Sequence, residues 1–394
     1  MASIFISAGE ASGDFYGSEL QNEIRTRLPG ATFFGLGGLG MEAAGLERIV
    51  RAEDVAHMGI TEVVRHAPYI FRQLQKLKAS LNECKPQLAI LIDFPDVNFR
   101  LAKHCHALGI PVLWLVSPQL WAWKKGRLRW VQRWVTKMLV IFPFEEIFYR
   151  ERGVDAQFIG HPLADLPLPA ISREDYAAKF GLDFKKQWIA LLPGSRAKEF
   201  HLNYPTLLAA AELLGDAYEY LVPIASTLDE NVVALEMQEN PGAVQPAPVQ
   251  DARAALRFAR ASVVASGTAT IQAALMGNPF LIVYKMSPLS YALASRVVTV
   301  PFAGMPNLIA GREIVPELLQ DEFTPQNVVT KVKPLLEDGP ARRKMQADLV
   351  EVSAALTAPQ LELPSPASQA DNGASTTAMA RAANAAVTLL ESTG

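Results

Sequence analysis

Short runs of uninterrupted apolar residues recur along the chain, each followed by a longer stretch of helical character. In the first half the runs are Ser3 to Ser7, Thr32 to Phe34, Leu88 to Ile92, Val112 to Val116, Met138 to Phe142 and Gln157 to Ile159. The helical stretches between them include Phe15 to Leu28, Tyr69 to Cys84, Phe99 to Leu108 and Phe144 to Arg152. This alternation predicts an α/β fold with a parallel, doubly wound sheet. The rhythm breaks at HPLADLPLPAIS, where Pro162, Pro167 and Pro169 cluster, and restarts at Trp188. Strands follow at Trp188 to Leu192, Tyr218 to Pro223, Ala261 to Ala265 and Phe280 to Tyr284, then helices at Gln326 to Leu336 and Ala341 to Leu356. The expected organisation is a first domain over 1–165 and a second over 166–356. A Pro, Ser, Ala and Gln-rich linker over 357–377 and an Ala-rich helix within 378–394 would follow. Two such Rossmann-like domains would face each other across a cleft.

At 394 residues the chain exceeds the roughly 250–300 at which one core stops growing, which agrees with two domains. The net charge of −3 gives no global reason to expect nucleic acid as a partner. Cys84 and Cys105 have no metal-ligand spacing and read as free thiols of a reducing cytoplasm. MASIFISAGE lacks a basic leader and its apolar stretch ends at Glu10, so it reads as a first strand rather than a signal peptide. The stretch from Ala261 to Tyr284 carries no charge across 24 residues. Its Ser266, Gly267, Thr268, Gln272, Gly277, Asn278 and Pro279 predict a buried strand, helix and strand instead of a membrane span.

Two strings outline a diphosphate site. In LLPGSRAKE, Pro193 and Gly194 end a buried strand and leave Arg196 in the loop, where its planar fork can hold two phosphate oxygens. In SGTAT, Ser266, Gly267 and Thr268 form the turn from another buried strand into a helix, whose free N–H groups would face an anion. Each string alone is common in α/β proteins, and most such turns bind nothing.

In ILIDFPDVNF, Asp93 lies just past the end of an aliphatic strand, a position suited to a general base in the crevice of such a sheet. A turn residue is the competing reading, and Asp96 is expected to cap the next helix. The opening loop AGEASGD is rich in small residues, while Glu10 and Asp14 make it a sugar or hydroxyl contact rather than a phosphate cradle. Ser12, Gly13 and Asp14 belong to the same candidate surface, with a helix cap by Ser12 or Asp14 as the competing reading. The string WAWKKGRLRWVQRWVTK holds four of the six tryptophans and six Lys or Arg without an acid. Trp130 and Trp134 read as the buried face of a helix. Trp121, Trp123, Lys124, Lys125 and Arg127 are the candidates for an anionic membrane surface. The histidines lack metal-like spacing, so no metal is expected, and His161 reads as a satisfied hinge residue.

Taken in order, AGEASGD, MGITEV, IDFPDVNF, SPQLWAW, FPFEE, FIGHPLAD, LLPGSR, SGTAT and MPNLIAGREIVPELLQ resemble the lipid-A-disaccharide synthase family. The resemblance implies a two-domain nucleotide-sugar glycosyltransferase of the GT-B fold. It implies an inverting transfer from UDP-2,3-diacylglucosamine to the 6-hydroxyl of 2,3-diacylglucosamine 1-phosphate, giving a β(1→6) disaccharide and UDP, with no cofactor and no essential metal. It puts Asp93 in the base role, Arg196, Ser266, Gly267 and Thr268 on the diphosphate, and Asn307 near the nucleotide. Gln272 stands where such folds usually place a carboxylate for the ribose. The acylated substrates imply a cytoplasmic protein peripheral on the inner face of the inner membrane. A homodimer is implied through the family's C-terminal segment, and the linker after Thr357 leaves it open. A UDP-N-acetylglucosamine epimerase, a polyprenyl-linked transferase or a silent nucleotide-sugar-binding membrane scaffold are the competing functions.

Overall fold

The computed structural model describes residues 2–56, 60–287, 291, 298–357 and 377–393. The expected linker and the start of MGITEV fall outside these residues. The chain divides into two compact units, one formed by Met1–Asp165 with the chain from Leu356 onward, the other by Leu166–Ala355.

The first unit holds strands β1 (Ser3–Ala8), β2 (Thr32–Gly37), β3 (Leu46–Arg51), β4 (Leu88–Ile92), β5 (Val112–Leu115), β6 (Lys137–Val140) and β7 (Ala156–Phe158). All are parallel, in the order β3-β2-β1-β4-β5-β6-β7. The chain therefore winds outward from β1, returns, and winds the other way from β4. Every residue of β4 is inaccessible to solvent because Leu, Ala and Ile cover both faces of the sheet's centre. Trp114 of β5 is likewise fully buried and packs against Phe99 at 4.8 Å between ring centroids.

The second unit repeats the winding with β8 (Gln187–Leu192), β9 (Tyr218–Pro223), β10 (Ala247–Val249), β11 (Ala261–Ala265), β12 (Phe280–Tyr284) and β13 (Glu317–Leu319). Its parallel order is β10-β9-β8-β11-β12-β13. The uncharged stretch from Ala261 is strand, helix Thr268–Leu275 and strand, as its glycine and hydroxyl residues require. Among the described residues no helix is long and apolar enough to cross a membrane.

β3, β10 and β13 were not legible as apolar runs, and all three lie at sheet edges. An edge strand needs only part of its surface buried, so LERIVR buries only Leu46 and Val50, and APV is short and carries Pro248. The first helix starts at Ala11 rather than Phe15, which places Ser12, Gly13 and Asp14 in its first turn and leaves only Gly9 and Glu10 as loop. Asp96 is not the cap of the next helix. Phe94 takes that position, Pro95 follows, and Asp96 lies inside the first turn, paired with Arg127 at 2.9 Å. The C-terminal helix Ala378–Thr393 belongs to the first unit, where Arg27 Nε donates to Asn384 Oδ1 at 2.6 Å and Arg381 Nε donates to the Ile159 carbonyl at 2.7 Å.

Candidate active site

In a doubly wound sheet, ligands bind beyond the carboxyl ends of the strands where the winding reverses. In the first unit that point lies between β1 and β4, whose ends deliver Glu10 and Asp93. Asp93 and Phe94 are consecutive non-glycine residues in the left-handed region, with φ of 43° and 48°. Such a turn persists only where its surroundings over-determine it. Here Asn98 does so from the following helix. Its fully buried amide donates from Nδ2 to the carbonyls of Asp93 at 2.7 Å and Ile92 at 3.2 Å, and its Oδ1 accepts the Ser7 hydroxyl of β1 at 2.7 Å. The Asp93 N–H donates to the Leu115 carbonyl at 2.9 Å. Gly9 completes the turn, since a Cβ there would overlap the Phe94 ring.

Burial raises the Asp93 carboxyl to about 7, helped by the negative charge of Glu10 and opposed by the Phe94 N–H. The Tyr16 phenol is buried beside it and is held protonated by burial and by the Asp93 charge. A carboxylate poised near neutrality can take a proton from a hydroxyl and later release it to water. Neither Asn98 nor Tyr16 stood out in the sequence as a functional residue. Asn98 lies inside IDFPDVNF, which was the available signal.

Asp14 is occupied differently. Its carboxylate accepts the N–H groups of Gly38, Gly40 and Met41 at 2.8, 2.9 and 3.0 Å, so it caps the short helix after β2 and ties the two loops together. Ser12 is half-buried, Gly13 is buried and Glu10 is exposed.

In the second unit the winding reverses between β8 and β11. Two helices start there, Ala197–Leu214 with Arg196 at its N-cap and Thr268–Leu275 with Gly267 at its N-cap, and neither has a side-chain cap. Gly267 has φ of 150°, which favours glycine. Ser266 Oγ donates to the Ala303 carbonyl at 2.9 Å, and Thr268 is exposed. Glu199 accepts the Arg196 guanidinium at 3.1 Å and the Ser195 N–H at 3.2 Å, which holds the exposed guanidinium at the loop. Gln272 is half-buried in the second helix.

Asn307 has another task. It is fully buried, and its Oδ1 accepts the N–H groups of Ile314 and Val315 at 2.8 and 2.9 Å, while Nδ2 donates to the Val315 carbonyl and to Glu317 Oε1 at 2.8 Å each. Glu317 in turn accepts the Ala303 and Gly304 N–H groups, so Asn307 positions the loop that meets Ser266. Asn307→Ala strands several buried polar groups, and a loss of roughly 3 kcal/mol in urea unfolding is expected.

The basic and aromatic string divides in two. Trp121 is turned inward, with its indole N–H donating to Glu145 Oε1 at 2.9 Å and its ring edge-on to Phe144 at 4.9 Å. Glu145 is almost completely buried, also accepts the Ser117 hydroxyl at 2.6 Å, and is pushed up to about 7 by burial. It links SPQLWAW to FPFEE, a role the sequence did not disclose. Trp123, Lys124 and Lys125 are exposed, with Lys124 Nζ 3.9 Å from the Trp123 ring centroid. Trp130 and Trp134 pack against the first unit's core. His161 is buried, accepts the Leu163 N–H at 3.2 Å and is depressed to about 3 by burial.

Two Rossmann-type units, with an elevated carboxyl at one winding reversal and two uncapped helix starts with an arginine at the other, have the make-up of the GT-B fold class. The fold is shared with a kitacinnamycin glycotransferase, at a TM-score of 0.62 and 14% identity over 99% of each chain. It is also shared with a UDP-GlcNAc 2-epimerase from Neisseria meningitidis, at 0.58 and 12% identity over 90% of this chain and 96% of that one. Residues 4–370 match the family model described as lipid-A-disaccharide synthetase. Lipid-A-disaccharide synthases from Acidobacterium capsulatum and Koribacter versatilis are 57% and 50% identical to it. The first covers 90% of this chain and 92% of its own length, the second 89% and 92%. The chain belongs to the lipid-A-disaccharide synthase family and is a glycosyltransferase of lipid A disaccharide formation.

Proposed function

We propose that the chain transfers the diacylglucosaminyl group of UDP-2,3-diacylglucosamine to the 6-hydroxyl of 2,3-diacylglucosamine 1-phosphate. The observation that carries this reading is Asp93, a carboxyl raised to about 7 on an over-determined turn where the first sheet reverses its winding. Asp93 takes the hydroxyl proton as the acceptor oxygen bonds to the anomeric carbon, the bond from that carbon to the diphosphate breaks, and UDP leaves with the electron pair. Attack opposite the leaving group inverts the centre and gives the β(1→6) product. Arg196 and the N–H groups opening helices Ala197–Leu214 and Thr268–Leu275 meet the charge that grows on the diphosphate, and Gln272 would bond the ribose. Purified protein in detergent micelles with both glycolipids and a chelator should release UDP and form the disaccharide in equal amounts. UDP without disaccharide would mean hydrolysis or another acceptor, and no UDP would leave a binding protein.

Both substrates carry acyl chains, and the exposed Trp123, Lys124 and Lys125 supply the indole and cations that a bilayer of anionic lipid attracts. On this reading the protein would act peripherally on the cytoplasmic face of the inner membrane. Replacing Trp123 by Ala with Lys124 and Lys125 by Glu should reduce co-sedimentation with phosphatidylglycerol vesicles about tenfold or more, since each cation contributes about 1 kcal/mol. Unchanged co-sedimentation would remove this patch from the membrane contact.

A further inference from the structure

Beside the Asp93 turn, the first unit carries a groove of about 170 Å³ between helices Pro95–Ala107 and Leu128–Trp134. Pro95 and Asp96, the first residues of the helix that follows the Asp93 turn, are among its lining. Its floor is aromatic. Phe99 meets Trp130 edge-on at 5.3 Å between centroids, and Trp130 stacks on Trp134 at 5.7 Å. Its rim is cationic, formed by Arg100, Lys103 and Arg127. Asp96, Phe99, Arg100 and Lys103 follow one another at i, i+3, i+4 and i+7, which places them on one face of the helix.

Only one of the three cations is engaged. Arg127 pairs with Asp96 at 2.9 Å and lies 5.4 Å from the Trp130 centroid. Arg100 and Lys103 are exposed and have no ion-pair partner among the described residues. Three cations against one carboxylate leave an excess of positive charge that matches the charge of about −1.5 to −2 on a phosphomonoester. The tryptophan faces suit the apolar part of the molecule that carries it. A helix rise of about 1.5 Å per residue sets Arg100 and Lys103 successively farther from the Asp93 end, along the line a glycolipid would take if its reacting hydroxyl lay at Asp93.

We infer that this groove receives the anomeric phosphate of the acceptor glycolipid. Arg100 and Lys103 hold the phosphate oxygens, Arg127 completes the cationic rim, and Trp130 and Trp134 lie along the glycolipid. The inference rests on the acceptor assigned above. It also gives Trp130 and Trp134 a second role, since both pack on the core and both line the groove.

The test uses full-length protein in detergent micelles with UDP-2,3-diacylglucosamine and two acceptors, 2,3-diacylglucosamine 1-phosphate and the same glycolipid without its phosphate. The double variant Arg100→Glu with Lys103→Glu should raise KM for the phosphorylated acceptor tenfold or more, because charged hydrogen bonds are lost and repulsion replaces them. kcat and the donor KM should stay within twofold. On the acceptor without phosphate, wild type and variant should share one KM. Lys103→Arg, which keeps the charge, should stay near the wild-type KM on the phosphorylated acceptor. An unchanged KM for the phosphorylated acceptor, or an equal rise for both acceptors, overturns the assignment. The equal rise would instead assign the groove to the lipid surface or to the fold. Absence of transfer by the wild type to either acceptor would overturn the proposed function itself, and the groove assignment with it.

Discussion

Asp93→Asn should lower kcat by about three orders of magnitude and leave UDP affinity unchanged, because a general base contributes about 10²- to 10⁴-fold and Asp93 lies in the unit that does not carry the proposed diphosphate residues. Steady-state turnover with isothermal titration of UDP measures both quantities, and a near-normal rate would withdraw the base assignment. The wild-type rate should rise with pH through about 7 as the carboxyl ionises. The same variant should be more stable than the wild type at about pH 8. The folded carboxyl is raised to about 7 from an ordinary 3.8, so between those values the folded chain binds more protons than the unfolded chain. Its contribution to stability is therefore present below about pH 4 and lost as the pH climbs through about 7. Asparagine cannot ionise and escapes that loss, and it removes the repulsion with Glu10. The gain in Tm should shrink towards zero near pH 4. A variant that is inactive but no more stable at pH 8 would mean that the turn, and not the charge, sets the behaviour of Asp93.

Arg196→Ala should weaken both UDP binding and turnover, with the larger loss in turnover. A charged hydrogen-bond pair to phosphate is worth about 1.5–3 kcal/mol, which predicts UDP binding weaker by roughly 10- to 100-fold. The negative charge on the diphosphate increases as the sugar departs, so kcat should fall by a further factor of about 10². Arg196→Lys restores the charge without the fork and should recover only part of each loss. Glu199 now holds the guanidinium in the loop, so Glu199→Gln should weaken UDP binding far less than Arg196→Ala. A variant at Arg196 that loses turnover with full UDP affinity would place the guanidinium on the sugar and not on the diphosphate.

Much of this was legible along the chain. Runs such as LAILI and ASVVA are buried on both faces, and a strand of that kind has to be central and parallel, so the class of fold followed from the apolar pattern. The two strand-to-helix turns at Asp93 and Gly267 were visible because strand ends of this kind are punctuated by glycine, proline or acidic residues. Of the edge strands β7 was visible but β3, β10 and β13 were not, since their burial is partial and their sequences resemble loops.

The division within the site follows the range over which each interaction acts. The position of Arg196, Ser266, Gly267 and Thr268 at helix starts could be read from sequence because a helix start and its preceding loop are local features, decided within a few residues. The partners of Asn98, Asp14, Asn307 and Glu145 are set by chain segments that meet only after folding. Asn98 reaches Ser7 across 91 positions, Asp14 reaches Gly38 across 24, and Glu145 reaches Ser117 across 28. Asn307 sits closer to its partners, 7 to 10 positions away, yet which of its groups they engage depends on the loop being folded back on itself. The sequence by itself determined the two parallel sheets and the residues presented at their winding reversals. Only the tertiary structure decided which polar side chains are consumed in holding the loops, because burial leaves few polar groups unpaired and assigns partners by proximity in space.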